Sequence, residues 1–146
     1  MSFYQPEKLP KLMVAPNGAR KIKKDHPAVP LTISETVETA KSCYEAGAGA
    51  IHLHVRDNEG QHVLDAGLYK EALNELEHQV PNMHIQVTTE AVGKYSPADM
   101  RKLAYDVTPP GASIGTSELI PSRNPENEDI KPVSYTHLTL PTKRIV

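Results

Sequence analysis

The sequence has little cysteine, few aromatic residues and no long hydrophobic run. Its 146 residues include a single cysteine, one phenylalanine and no tryptophan. A lone cysteine excludes an internal disulfide and is typical of a reducing compartment. No apolar segment has the length of a membrane-spanning helix, and the N-terminus lacks the basic-then-apolar pattern of a signal peptide. The composition therefore predicts a soluble cytoplasmic protein without a membrane partner.

The charge of the chain is nearly balanced, with 16 basic and 18 acidic residues and a formal net charge of −2. No basic run stands out, so nothing in the sequence indicates nucleic-acid binding. The length is typical of one domain. The cysteine, Cys43, falls inside a predicted helix, where a buried structural thiol is expected rather than a nucleophile.

Strand and helix signals alternate along the chain, which is the pattern of βα units with a parallel sheet. Strands are predicted at residues 12–17, 50–57, 84–90 and 112–116. The first helix begins at a capping box formed by Thr32 and Glu35, and the second begins near Asp65. Ser96 and Pro97 open a short third helix near residues 99–105. Four such units predict either half of a (β/α)8 barrel or an open four-stranded parallel sheet.

The most informative motif is Ile-His-Leu-His-Val-Arg-Asp at residues 51–57, in the second predicted strand. Side chains alternate between the two faces of a strand, so the apolar residues share one face and His52, His54 and Arg56 share the other. Two imidazoles at positions i and i+2 are close enough to bind one metal ion, while the apolar face can pack under a helix. The spacing alone is compatible with a metal site, but it favours the alternative, a half-exposed strand with two ordinary histidines.

Polar residues collect at or beyond the carboxyl ends of all four predicted strands. Because (β/α)8 barrels place functional residues there, these positions suggest one shared site. They are Asn17, His52, His54, Arg56, Asp57, Thr88, Thr89, Glu90, Thr116, Ser117 and Glu118. Arg56 and Asp57 are expected either to form a mutual salt bridge or to support the site. His26, His62, His78 and His84 are interpreted as non-ligands.

Four sequence blocks follow one another in a fixed order. They are VAPNGAR at residues 14–20, DHPAVPLT at 25–32, EAGA at 45–48 leading into the histidine motif, and IQVTTEAVG at 85–93. Together they resemble the β-keto acid cleavage enzymes, also called the 3-keto-5-aminohexanoate cleavage family, over about residues 10–120. The resemblance implies an α/β fold, the truncated N-terminal half of a (β/α)8 TIM barrel with four βα units.

The resemblance also implies a reaction in which a β-keto acid and acetyl-CoA become acetoacetate and a new acyl-CoA. In that reaction Zn²⁺ or another divalent metal polarises the keto acid. His52 and His54 would be metal ligands, and a glutamate from a late strand that this chain does not contain would be the third. Thr88 and Thr116 align with hydroxyl contacts and are the catalytic candidates, although β-propensity alone would also explain them. Glu90 is a local substitute for the third ligand, with a surface or salt-bridged role favoured.

Asn17, Arg20, Thr89 and Glu90 are predicted to bind the substrate. Some family members carry a glutamate where Arg20 stands, and it recognises the amino group of their substrate. Arg20 reverses that charge, which favours a substrate with a neutral or acidic distal end. A solvated arginine is the alternative. A full-length protein is expected to form a homo-oligomer.

Residues 133–146 resemble a translated sequencing adapter and nothing in the family. Codons for Val133 to Thr142 can reproduce a transposase end with its read-primer site, and the adapter then gives Val146 and a stop. The predicted domains are therefore a partial TIM barrel over residues 1–132 and a non-native tail over residues 133–146. A genuine tail is the alternative. Tail residues, including His137, are excluded from the ligand candidates.

The leading interpretation is a fragment of a metal-dependent β-keto acid cleavage enzyme. The alternative is a non-catalytic metal- or small-acid-binding half-barrel that associates with a partner. Because the late-strand ligand is missing, the chain as written is predicted to be inactive. Another metal-dependent barrel enzyme, such as an aldolase, is disfavoured by the Val-Thr-Thr-Glu and Asp-His-Pro sequences.

Overall fold

The computed structural model describes residues 9–115 of the chain. Strands and helices alternate along this part: β1 Met13–Val14, α1 Ile33–Glu45, β2 Ala50–Leu53, α2 Ala66–Gln79, β3 His84–Val87 and α3 Pro97–Val107. Where a fourth strand was predicted, one parallel bridge joins Val87 to Ala112. The candidate residues Thr116, Ser117 and Glu118 and the predicted adapter-derived tail lie outside the described residues.

Each helix begins where its capping residues predict. At α1, the Thr32 hydroxyl accepts from the backbone N–H of Glu35, and the Glu35 carboxylate accepts from that of Thr32, each at 3.2 Å. Ser96 and Asp99 form the same reciprocal box at α3, and Asp65 caps α2. These contacts satisfy N–H groups that have no partner inside the helix. None of the helices in residues 9–115 is long and apolar enough to cross a membrane.

The three strands form a parallel sheet in the order β1-β2-β3. β2 is the central strand, and its register with β3 places His52 opposite Gln86 and Leu53 opposite Val87. A parallel pair needs a crossover connection, which α1 and α2 provide. The α/β class with a parallel sheet is therefore confirmed, and the half-barrel stays a prediction.

All three strands are shorter than predicted, because the chain turns soon after each one. β2 ends at Leu53 instead of Asp57. The Asp57 carboxylate accepts from the backbone N–H of Glu59 at 2.9 Å, which stabilises a turn, and an antiparallel bridge then joins Arg56 to His62. Residues 54–57 of the histidine motif, which include His54 and Arg56, thus lie in a loop at the carboxyl edge of the sheet.

One cluster of buried apolar side chains joins the sheet to its helices. β2 contributes Ile51 and Leu53, and α2 contributes Tyr69 and Leu76. Burying such side chains stabilises the fold by roughly 1.5–3 kcal/mol each. Cys43 of α1 lies half-buried at the margin of the cluster, so the buried thiol that we expected is only partly covered.

Candidate active site

His52 and His54 face each other across the sheet surface that carries no apolar core. Their Nε2 atoms are 3.1 Å apart, and their ring centroids are 4.9 Å apart. The alternate side chains of Ile51, Leu53 and Val55 belong to the buried cluster on the other side. The predicted division of the two faces is therefore confirmed, although His54 lies one residue beyond the end of β2.

The spacing of the two Nε2 atoms fits two ligands of one metal ion. Tetrahedral zinc lies about 2.0–2.1 Å from each imidazole nitrogen, so two such nitrogens are roughly 3.3 Å apart. The observed separation of 3.1 Å is close to that value. Among residues 9–115, no group of three histidine, cysteine or acidic side chains is arranged to hold a metal. This part of the chain therefore offers two donors and no third.

His54 is buried, with 3% of its surface exposed. Burial lowers the pKa of its imidazole to about 3, and the neighbouring His52, His62 and Arg56 act in the same direction. The ring is therefore neutral near pH 7, which is the state that binds metals. Its Nδ1 atom is buried and has no hydrogen-bond partner in the described part of the chain.

Gln86 is a site residue that the sequence analysis missed. Its Oε1 lies 2.8 Å from Nδ1 of His52, directly across the β2–β3 ladder. Strand alternation puts His84, Gln86 and Thr88 on one face, so the signal was present in the sequence. Only the register between the two strands decides which of these three side chains meets His52.

Glu90 and His62 complete the surroundings of His54. A Glu90 carboxylate oxygen lies 4.0 Å from Nε2 of His54, and this is not an ion pair while His54 is neutral. The His62 ring is 5.1 Å from the His54 ring, and its Nε2–H donates to the Glu90 carbonyl at 2.9 Å. Burial lowers the pKa of His62. The sequence predicts that His62 is not a ligand, and the structure places it buried next to the candidate ligand His54.

Arg56 connects the loop after β1 to the loop after β2 by hydrogen bonds. Its buried guanidinium donates at 2.7–3.3 Å to the backbone carbonyls of Asn17, Gly18, Lys21 and Gly60. A buried charge needs such partners to offset its lost hydration. Of the two roles expected for Arg56, a salt bridge with Asp57 or support of the site, the structure has the second.

The threonines at the end of β3 are engaged with the backbone. Thr88 is buried, and its hydroxyl oxygen accepts from the backbone N–H of Glu90 at 3.1 Å. The Thr89 hydroxyl donates to the carbonyl of Ser113 at 2.7 Å. The backbone N–H of Thr88 also donates to the carbonyl of Leu53, the residue between the two histidines, at 3.0 Å. Together these contacts hold the loop after β3. Their predicted roles toward the substrate stay predictions, as does that of Thr116.

The loop after β1 brings Asn17 and Arg20 to the same edge. The Asn17 amide donates to the backbone carbonyl of His54 at 3.2 Å, and its Oδ1 is buried without a hydrogen-bond partner among the described residues. Arg20 is exposed and lines an open cleft of about 490 Å³ together with His62 and Lys94. The cleft therefore joins the loops that follow β1, β2 and β3.

Comparisons with known proteins identify the family of this chain. The sequence profile of the beta-keto acid cleavage enzymes matches residues 11–137, and its last residues fall inside the predicted tail. A 3-keto-5-aminohexanoate cleavage enzyme of Fusobacterium nucleatum is 38% identical over 72 residues, which are 49% of this chain and 26% of that protein. A 3-oxoadipate:acetyl-CoA acetyltransferase of Cupriavidus necator is 32% identical over 117 residues, which are 80% of this chain and 40% of that protein.

Solved structures share the fold, and one of them is a complex of ObcA. A binary complex of ObcA with oxaloacetate superimposes with a TM-score of 0.50 at 20% identity, covering 60% of this chain and 23% of ObcA. At this identity the likeness concerns the fold alone. The chain spans less than half the length of each of these three proteins.

Proposed function

Because the chain belongs to the beta-keto acid cleavage enzyme family, we propose that it is the N-terminal part of a metal-dependent enzyme. That enzyme would convert a β-keto acid and acetyl-CoA into acetoacetate and an acyl-CoA. The observation that carries this proposal is the pair of imidazoles at the carboxyl edge of the sheet, with Nε2 atoms 3.1 Å apart. The name of the Cupriavidus relative, which includes acetyl-CoA, supports that co-substrate.

His52 and His54 would hold the metal, which we propose to be Zn²⁺ or another divalent ion. When bound, the metal would polarise the oxygens of the keto acid and stabilise enolate-like charge. The third ligand would come from outside residues 9–115, as a glutamate of a late strand. Glu90 is the local alternative, since its carboxylate is already 4.0 Å from His54.

The surrounding residues would bind and orient the substrate. The hydroxyls of Thr88 and Thr116 can donate to a carboxylate without adding charge, although the Thr88 oxygen already accepts from a backbone N–H. Asn17 has a buried Oδ1 with no partner among the described residues, and it can accept from a protonated group. Thr89 would act indirectly, because its hydroxyl bonds the carbonyl of Ser113 and holds the loop after β3 in place.

Arg20 would select the distal end of the keto acid. The guanidinium is exposed in an open cleft that His62 also lines, and it can pair with a second carboxylate in a bidentate manner. 3-Oxoadipate, named for the Cupriavidus relative, has such a second carboxylate. We therefore propose a substrate with an acidic distal end in preference to an aminated one.

The proposal includes the rest of the architecture. Residues 1–132 would form four βα units of a (β/α)8 barrel in the cytoplasm, and residues 133–146 would be an adapter-derived tail. The completed protein is defined as residues 1–132 followed by their native continuation. It would act as a homo-oligomer without nucleic acid or membrane as a partner.

The test measures metal content and turnover in the completed protein. We expect about one zinc per chain, and we expect His52→Ala to lose the metal and to lower kcat/KM by about a thousandfold or more. His78→Ala is the matched control, because His78 is exposed at the end of α2 and bonds only its own helix. Full activity of metal-stripped enzyme, or of His52→Ala, would contradict the mechanism.

The second candidate is a non-catalytic half-barrel that binds a metal or a small acid. It is favoured by one observation, that the described residues contribute only two metal donors. In this case the completed protein would bind metal through the histidine pair and form no acetoacetate. Measuring both properties on one sample separates the two candidates.

A further inference from the structure

Gln86 and His52 form a contact that the proposed chemistry has not yet used. The two residues are partners in the β2–β3 register, and the Gln86 Oε1 lies 2.8 Å from Nδ1 of His52. Both side chains are half-buried. Strand pairing therefore fixes the Cα positions of both residues, and the hydrogen bond fixes the orientation of the imidazole ring.

The contact determines which ring nitrogen of His52 carries the proton. An amide oxygen can only accept a hydrogen bond, so Nδ1 of His52 must be the donor. In a neutral imidazole the other nitrogen, Nε2, then has a free lone pair. That Nε2 faces the Nε2 of His54 at 3.1 Å, which is the point where the two rings converge.

His54 lacks such a partner. Its Nδ1 is buried and makes no hydrogen bond within residues 9–115. Once the Nε2 of His52 is an acceptor, the short contact between the rings requires Nε2 of His54 to be the donor. The two imidazoles are therefore unequal: His52 already presents a lone pair, and His54 presents an N–H.

We propose that Gln86 is a positioning residue that holds His52 in the Nδ1–H tautomer, so that its Nε2 lone pair faces the metal site. This inference rests on the proposed function in one respect only, namely that a metal ion is what accepts that lone pair. Hydrogen bonds to the second nitrogen of a ligand histidine fix its ring orientation and raise its basicity, and losing one costs about 10–100-fold in metal affinity. Gln86 itself would not touch the metal or the substrate.

The test compares Gln86→Leu, Gln86→Glu and the control Gln79→Leu in the 146-residue chain. Leucine removes the acceptor at similar volume, glutamate keeps it, and Gln79 is exposed at the last residue of α2. The first measurement is the ¹⁵N spectrum of metal-free, histidine-labelled protein. We expect the Nδ1–H tautomer of His52 in the wild-type chain, in Gln86→Glu and in Gln79→Leu, and a mixture of tautomers in Gln86→Leu.

The second measurement is Zn²⁺ affinity of the completed protein, with the same variants made in it, by competition with a chelating indicator. We expect Gln86→Leu to bind at least about tenfold more weakly, with Gln86→Glu and Gln79→Leu close to the wild-type protein. The Nε2–H tautomer in the wild-type chain, or unchanged affinity in Gln86→Leu, would overturn the proposal. If Gln86→Leu does not fold, the tautomer of His52 in the wild-type chain and in Gln86→Glu tests the proposal. A completed wild-type protein without Zn²⁺ affinity would contradict the proposed function alone, because the tautomer is measured without metal.

Discussion

Two arginines act on the loop after β1 in different ways. Arg56 donates to the carbonyls of Asn17, Gly18 and Lys21 and thereby fixes the path of the backbone. Arg20 lies in the same loop, is exposed, and lines the open cleft. The geometry of the loop and its charge thus depend on separate residues, and each can be tested without the other.

For Arg20, we expect Arg20→Glu to reverse the substrate preference of the completed protein. A guanidinium pairs with a carboxylate and repels an ammonium group, and a glutamate does the opposite. The ratio of kcat/KM for carboxy-ended over amino-ended keto acids should fall by roughly 10–100-fold, in line with about 1.5–3 kcal/mol for a charged hydrogen bond. Arg101→Glu, on the exposed side of α3, is the control. An unchanged ratio would mean that Arg20 plays no selective part.

For Arg56, we expect Arg56→Lys to lower the free energy of unfolding by about 2 kcal/mol or more. Lysine keeps the charge, but its N–H donors all lie on one nitrogen atom. That atom cannot replace both guanidinium nitrogens, of which one contacts the Gly60 carbonyl and the other contacts carbonyls of the loop after β1. Urea denaturation of the 146-residue chain measures the change. Arg101→Lys, on the exposed side of α3, should stay within about 0.5 kcal/mol of the wild-type value. Equal stability of the two variants would show that the carbonyl contacts contribute little.

The histidine pair could be predicted because strand alternation is a local property. Neither Gln86 nor the carbonyl partners of Arg56 could be predicted, because both depend on pairing between distant segments. The position of His62 has the same origin: the turn at Asp57 folds it back over the site. Sequence therefore located the ligand candidates and left their supporting residues undetermined.

At the scale of the elements, helix starts were predicted more accurately than strand ends. Capping residues lie within three positions of the N–H groups that they satisfy, so α1 and α3 begin where the sequence indicates. A strand ends where its neighbour stops pairing or the chain turns away, and neither is encoded in the strand itself. β2 and β3 are accordingly shorter than their apolar alternation suggested.

The start of α1 gives a prediction with a pH dependence. The Glu35 carboxylate accepts from the Lys23 ammonium at 2.7 Å and from the backbone N–H groups of Leu31 and Thr32 at 2.9 and 3.2 Å. These bonds, with Lys23 the strongest, lower the pKa of Glu35 from 4.5 to about 2. Because the pKa is lower in the folded state, the stabilisation is complete above about pH 4.5 and is lost as the pH falls toward 2.

We expect Glu35→Gln to lower the free energy of unfolding by about 1 kcal/mol at neutral pH, since the carboxylate is partly exposed and screened. The difference from wild type should shrink between pH 4.5 and about 2. Urea denaturation at several pH values measures it. Glu75→Gln, exposed on α2, is the control and should change little at any pH. A Glu35→Gln deficit that is constant with pH would argue against the ionised carboxylate as its source.

At the scale of the whole molecule, the family and the parallel α/β class follow from the sequence, and the proposed metal site would be completed by residues outside the described part. The chain covers 40% of the Cupriavidus relative in the matched region. Within residues 9–115 the histidine pair has no third partner suited to a metal. The active site of the proposed barrel would draw on many strands, and three of them would not complete it.

We therefore expect the 146-residue chain alone to form no acetoacetate from a β-keto acid and acetyl-CoA, whereas the completed protein forms it. Both samples are assayed with and without added Zn²⁺. His52→Ala in each sample gives the background rate. Turnover by the short chain above that background would mean that two imidazoles and the local residues suffice for the reaction.

The way Arg56 holds the loop after β1 has a consequence for how this family can diversify. Backbone carbonyls are common to all amino acids, so a replacement at position 20 leaves every contact of Arg56 unchanged. Gly18 is the exception in this stretch, because its φ of 58° favours glycine. A lineage could therefore exchange arginine for glutamate or a neutral residue by one amino-acid replacement and, on the proposed role of Arg20, acquire a new keto acid. The candidate ligands His52 and His54 would be unchanged by that replacement.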